Sequence, residues 1–157
     1  MSCYSKVAKS LDARPGATVV NFPVPHADRI DIVLPARPES APRLRHALRA
    51  YLERLALEVW RVDDVLLAAG EAAGNAIEHA YRDRAGTVRL CAFVNGPSLF
   101  IEVRDVGSWR GHGDPERGRG LGIMRALADR VSIESTRGGT AVRLEMRLDG
   151  SEPANAF

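Results

Sequence analysis

Cysteine is nearly absent: Cys3 and Cys91 are the only two in 157 residues. Cys3 stands near the N-terminus and Cys91 in a predicted strand. No disulfide framework is expected, and two lone thiols make no metal site. Aromatic residues are few, at 6%. No stretch approaches the ~18 uninterrupted apolar residues of a membrane span. The N-terminus lacks an apolar core followed by a small-residue cleavage site, so no signal peptide is expected. Lysine is rare against arginine, yet the formal net charge is only +2. That bias is too weak to argue for direct nucleic-acid binding. These absences together point to a reducing, cytoplasmic setting with no membrane contact.

What is present fits a soluble globular chain: 45% hydrophobic and 27% charged residues. A chain of this length supports one sizeable core and buries about 70% of its unfolded surface. Six of the nine prolines lie in the first 42 residues. Residues 1–28 lack apolar periodicity and read as a flexible tail or linker. Residues 149–157 read as a C-terminal tail, which leaves 29–148 as the domain.

Within that domain the order of elements is readable. Residues 30–34 begin a strand stopped by Pro35. A helix-start region at Pro38-Glu39-Ser40-Ala41-Pro42 leads into an amphipathic helix over 40–58, with Leu44, Leu48, Leu52 and Leu55 at helical spacing. A second helix is predicted over 63–81. Alternating Val88, Leu90, Ala92 and Val94, then Leu99, Ile101 and Val103, form a hairpin about Asn95-Gly96-Pro97-Ser98. A glycine-rich loop over 107–120 precedes a short helix over 121–130. Strands beginning at Val131 and ending at Leu148 close the domain about Arg137-Gly138-Gly139. Runs of strands with helices grouped to one side imply an α+β fold: a two-layer sandwich of a mixed, mostly antiparallel sheet with about three helices on one face.

The second helix carries the sharpest chemical signal. At 100° per residue, Glu71, Asn75 and Glu78 share a stripe opposite the apolar one. A solvated face is one reading. The other rests on Gly70 and Gly74, each costing about 1 kcal/mol in a helix interior, and on short neighbours such as Ala68 and Ala72. On that reading the helix makes room beside a carboxylate that can take a proton and an amide oxygen that can ligate Mg²⁺. His79, at the margin of the stripe, either faces solvent or contacts a phosphate. Asp105 falls by strand alternation on the apolar face of its strand, and a buried carboxylate needs a partner. A purine amino group or a backbone N–H would serve. Gly118-Arg119-Gly120-Leu121-Gly122 runs into a helix, where backbone N–H groups bind phosphate; flexible loops are glycine-rich as well. Gly138-Gly139-Thr140 alone is a hairpin turn.

Taken together and in this order, these segments resemble the nucleotide-binding boxes of the anti-sigma-factor serine kinases, members of the GHKL (Bergerat) ATPase superfamily. Glu71-Ala-Ala-Gly-Asn75-Ala-Ile-Glu-His79-Ala-Tyr81 resembles the N box. Asp105-Val-Gly107 resembles the first glycine box, Gly118 through Gly122 the second, and Gly139-Thr140 the end of the third. The resemblance implies Glu71 as general base and Asn75 as Mg²⁺ ligand. It implies Asp105 as acceptor for the adenine amino group, with Gly107 giving the base room. It also implies phosphate contacts from Gly118, Arg119, Gly120, Leu121 and Gly122, with His79 beside them and Thr140 supporting the adenine end. Arg43 stands where these kinases carry an arginine for their protein partners. The implied activity is ATP- and Mg²⁺-dependent phosphorylation of a STAS-type anti-anti-sigma protein, with a sigma factor as second partner and a homodimer as the assembly. The alternative is a nucleotide-binding regulatory module without kinase activity. The loop over 109–117 is short for an ATP lid, and Trp109 stands where many members of the superfamily have glycine.

Overall fold

The computed structural model describes residues 28–81, 86–106, 119–136 and 138–149. In chain order the elements are β1 (Arg29–Pro35), α1 (Ser40–Glu53), α2 (Val59–Tyr81), β2 (Thr87–Asn95), β3 (Ser98–Val106), α3 (Arg119–Leu127), β4 (Arg130–Thr136) and β5 (Gly139–Arg147). The five strands form one sheet in the order β1-β2-β3-β5-β4. Every pairing in it is antiparallel, so the mixed pairing expected from the sequence is absent among the described residues. The connections explain this. Two helices between β1 and β2 carry the chain out and back, so β2 returns antiparallel to β1. The single helix α3 between β3 and β4 sets those two strands parallel, but β5 lies between them.

The period-2 apolar pattern puts Val88, Leu90, Ala92, Leu99, Ile101 and Val103 on the helix-covered face. They form one core there with residues of α1, α2 and α3. Leu44, Leu48 and Leu52 of α1 are fully buried in it, each contributing about 2 kcal/mol. The β2–β3 connection is a two-residue turn, because Asn95 pairs with Ser98. Gly96 takes φ 58 there, a conformation glycine adopts without steric cost. Where α1 begins, the Ser40 hydroxyl donates to the Pro35 carbonyl at 2.6 Å and ties the helix start to the end of β1.

Four helix boundaries differ from the sequence expectation: α3 spans Arg119–Leu127, not 121–130, and the other two lie at the α1–α2 corner. α1 ends at Glu53, not 58, and α2 begins at Val59, not 63. Apolar spacing runs on through Leu55, and no glycine or proline marks the stop. Tertiary packing makes it instead: Leu55 and Leu57 turn onto the core, and Ala56 between them takes φ 50. That left-handed conformation costs an alanine about 1–2 kcal/mol. The new α2 start is held by Arg61, which is only 3% exposed. Its Nε donates to the Arg147 carbonyl at 2.8 Å, and its Nη2 lies 3.4 Å from Asp129 Oδ2.

The other face of the sheet is polar at its flanks. Arg89 pairs with Asp31. Arg143 bridges Glu102 at 2.7 Å and Glu134 at 2.9 Å. Burial works against the Arg143 charge, but the bonds and charges of Glu102 and Glu134 outweigh it and raise its pKa. Among the described residues no helix is long and apolar enough to cross a membrane.

Candidate nucleotide site

α2 ends at Tyr81, and β2 opens at Thr87. Val88 then pairs with Asp105. The C-terminal half of α2, the end of β3 and the start of β5 therefore lie at one end of the domain. Glu71 and Asn75, one helical turn apart, are half-buried there, while Glu78 is exposed. The first turn of α3 closes on the first two. A Cβ built on Gly120 would stand 2.8 Å from Glu71 Oε2 and 3.4 Å from Asn75 Nδ2. The carboxylate, the amide and the start of a helix thus converge, a meeting of residues 45 to 49 positions apart in sequence.

The short side chains of α2 divide into two groups. Ala68 and Ala72 are fully buried, in the same core as Leu121 and Met124. They let other elements pack closely and do not border an open face, as the sequence reading had placed them. Among the described residues nothing lies within 4 Å of a Cβ built on Gly70 or Gly74, so no described atom demands glycine there.

Asp105 is 5% exposed, as strand alternation predicts. Its Oδ1 accepts the Thr140 backbone N–H at 3.0 Å. This contact requires Gly139, which lies against Asp105 at φ 130. A Cβ there would fall 2.2 Å from the Asp105 carbonyl oxygen and 2.8 Å from Oδ1. By its local pattern Gly139 reads only as part of a turn, and the resemblance sets it with Thr140 at the end of the third box; in the fold it is the residue that lets β5 close on Asp105. The Thr140 hydroxyl lies 3.4 Å from Ser135 Oγ. The two kinds of glycine should separate cleanly in urea unfolding. Gly139→Ala meets fixed backbone and should lose about 2–3 kcal/mol. Gly74→Ala meets open space and should gain about 1 kcal/mol. A neutral Gly139→Ala would show that the β5 start adjusts freely.

Arg119 opens α3 and is exposed; Gly122 is exposed with open space about it. The Leu121 side chain is buried in the core, which leaves only its backbone N–H for a ligand. His79 rides on the last turn of α2, its side chain outside what is described. Gly107, Gly118 and the loop over 109–117 lie outside the described residues. Arg43 is exposed in the first turn of α1. Between α1 and α2 runs a groove of about 360 Å³, lined by Pro42, Arg45, Leu67, Gly70 and Glu71 among others. It joins the start of α1 to the α2 carboxylate, which no local sequence pattern announces.

Among the described residues no group of three or more His, Cys, Asp or Glu could hold a metal ion. An amide oxygen beside a helix start is a donor type that suits Mg²⁺, which keeps several waters and takes few protein ligands.

Residues 34–146, most of the chain, match the histidine kinase-like ATPase domain. The chain belongs to that family. It is 28% identical over 135 residues to an anti-sigma F factor of Clostridium acetobutylicum, covering 77% of this chain and 94% of that protein. It is 29% identical over 143 residues to the serine-protein kinase RsbW of Bacillus subtilis, covering 80% and 89%. The crystal structure of the RsbU and RsbW domains of a Mycobacterium tuberculosis protein superposes with a TM-score of 0.65 at 29% identity. That likeness covers 81% of this chain, which spans only a third of the longer one, 33%. The ATPase family accounts for the two-layer α+β fold.

Proposed function

We propose that this chain is an ATP- and Mg²⁺-dependent protein serine/threonine kinase and anti-sigma factor. It phosphorylates a STAS-type anti-anti-sigma protein and sequesters a sigma factor. The observation that carries this reading is the convergence of Glu71 and Asn75 on Gly120 at the start of α3. The names of the relatives, anti-sigma F factor and serine-protein kinase RsbW, support it. Phosphoryl transfer is mostly positioning and charge neutralisation, and the residues divide that task. The backbone N–H groups of Gly120, Leu121 and Gly122, in the first turn of α3, face the phosphates with the helix dipole behind them. Asn75 holds Mg²⁺, which when bound neutralises phosphate charge. Glu71 takes the proton of the acceptor hydroxyl as its oxygen bonds to the γ-phosphorus and ADP leaves. Asp105, the buried carboxylate at the end of β3, accepts the adenine amino group. Arg43, beside the groove that leads to Glu71, binds an acidic patch on the protein partner through its planar guanidinium. The assembly is a homodimer in the cytoplasm.

Incubation with γ-labelled ATP, Mg²⁺ and STAS proteins from the same genome tests the reading. Label on a serine or threonine of one of them is expected. ATP bound without transfer to any would reduce the chain to a nucleotide-binding regulatory module.

The adenine assignment has its own test in Asp105→Asn. The amide oxygen can still accept from Thr140, so the fold should hold. The amide nitrogen then presents a donor to the adenine amino donor. Nucleotide affinity should fall by about 1.5–3 kcal/mol. Calorimetry showing wild-type affinity in the folded variant would remove Asp105 from the adenine pocket.

A further inference from the structure

α2 packs against α1 on one flank and against α3 on the other. Glu71 stands on the ridge between the two flanks. On the α3 side its Oε2 meets the helix start at Gly120. On the α1 side it lines the groove of about 360 Å³ between α1 and α2. The floor of that groove is apolar, built from the buried Leu44, Leu48, Leu66 and Ala69. Its rim is apolar too on the α2 side: Leu67, one helical turn before Glu71, is 44% exposed.

Two features of the groove do nothing for the fold. Gly70 lines it between Leu67 and Glu71. Glycine is the weakest helix former after proline, and nothing described lies within 4 Å of a Cβ built there. Its effect is to keep the groove wide just before the carboxylate. Arg45 lines the α1 side and is exposed. Arg49, one turn further along α1, is paired with Asp63 of α2 at 3.7 Å. Arg45 has no ion pair or hydrogen bond among the described residues. Arg43 lies two positions away, about 200° around the helix, so the groove takes Arg45 and not Arg43.

We propose that this groove receives the acceptor segment of the protein substrate, and that it selects an aliphatic side chain beside the hydroxyl with a carboxylate facing Arg45. The proposal rests on the kinase reading of Glu71 and adds the substrate side of the same site. A general base must have the acceptor hydroxyl within hydrogen-bond reach while the phosphorus stands beyond it. The α3 flank of Glu71 is given to the phosphates, which leaves the α1 flank for the hydroxyl. Leu67 and the leucine floor take the aliphatic side chain. A guanidinium with no partner at an apolar rim takes a carboxylate through two parallel hydrogen bonds. The same charge turns away lysine-rich and arginine-rich segments.

Peptide binding tests the groove apart from transfer. The full chain, with Mg²⁺ and a non-hydrolysable ATP analogue, is titrated with three sets of synthetic peptides. Each has a central serine, flanked by leucine and aspartate, by leucine and lysine, or by glycine alone. The leucine–aspartate set should bind at least about tenfold more tightly than the others. Arg45→Glu, an exposed exchange of two good helix formers, should reverse the preference toward leucine–lysine. Arg45→Lys should keep the original order. Gly70→Leu fills the groove, so it should weaken leucine–aspartate binding about tenfold while raising the urea midpoint. ATP affinity should stay unchanged in Arg45→Glu and Gly70→Leu. The expected peptide preference without label transfer to any STAS protein would uphold the groove and remove the kinase reading. Absent binding, equal binding of the three sets, or the wild-type order and strength in folded Arg45→Glu and Gly70→Leu would overturn the proposal, with or without transfer.

Discussion

Arg61→Ala is expected to cost the domain about 3–5 kcal/mol, the price of breaking a buried ion pair by removing one partner. Arg61 and Asp129 are 3% and 8% exposed. One guanidinium joins three elements: it sits on the first turn of α2, bonds the last carbonyl of β5 and pairs with the carboxylate that follows α3. Asp129 Oδ2 also accepts the Arg147 N–H at 2.7 Å, so truncating Arg61 leaves a buried carboxylate with one neutral partner and a carbonyl with none. The cause is separable from lost packing. Arg61→Ala with Asp129→Asn removes the uncompensated charge and should recover part of the loss in chemical denaturation. A double variant as unstable as the single one would assign the cost to packing of the arginine stem. A single variant within about 0.5 kcal/mol of wild type would mean that the lock contributes nothing.

This lock also marks where sequence reasoning runs out. An arginine near a helix start reads as surface, because arginine is almost never fully buried unless paired, and its partners lie 68 and 86 residues away. The α1–α2 corner was illegible for the same reason: Leu55 and Leu57 answer to the core, not to helical phase. By contrast the β2–β3 hairpin was legible in full, since strict alternation with one buried face permits a single register. The same parity foretold that Asp105 is buried. The α2 stripe was legible only as a pattern. Glu71, Asn75 and Glu78 share a face in any helix, and nothing local says that α3 closes on the first two and leaves Glu78 exposed. Gly120 against Glu71 and Gly139 against Asp105 are likewise contacts between distant segments. Composition cannot distinguish such glycines from those of a flexible loop. The resemblance to the serine-kinase boxes named these positions in advance; the packing supplies the physical reason that two of them are glycine.

Glu71→Gln should separate chemistry from binding. Glutamine has the shape of glutamate and nearly the same helix propensity, so it fits against Gly120, where Oε2 now lies. Its amide cannot take a proton from an acceptor hydroxyl. ATP affinity should stay close to wild type, because the proposed function gives the phosphates to the α3 backbone and the adenine to Asp105. Transfer to the protein acceptor should fall by ~10²-fold or more, the usual contribution of a positioned base. Gly120→Ala probes the same carboxylate from the other side. Its Cβ would stand 2.8 Å from Glu71 Oε2, the free end of a flexible side chain, which can swing away at little cost in stability. That variant should therefore fold, bind nucleotide and transfer slowly, since the displaced base no longer meets the hydroxyl. The two variants bracket the role of Glu71: one removes its basicity in place, the other moves it intact. Wild-type transfer by Glu71→Gln would put the base elsewhere. Loss of ATP affinity in step with transfer, in folded Glu71→Gln, would make Glu71 a ligand-binding group and the carboxylate a support for the metal side of the site.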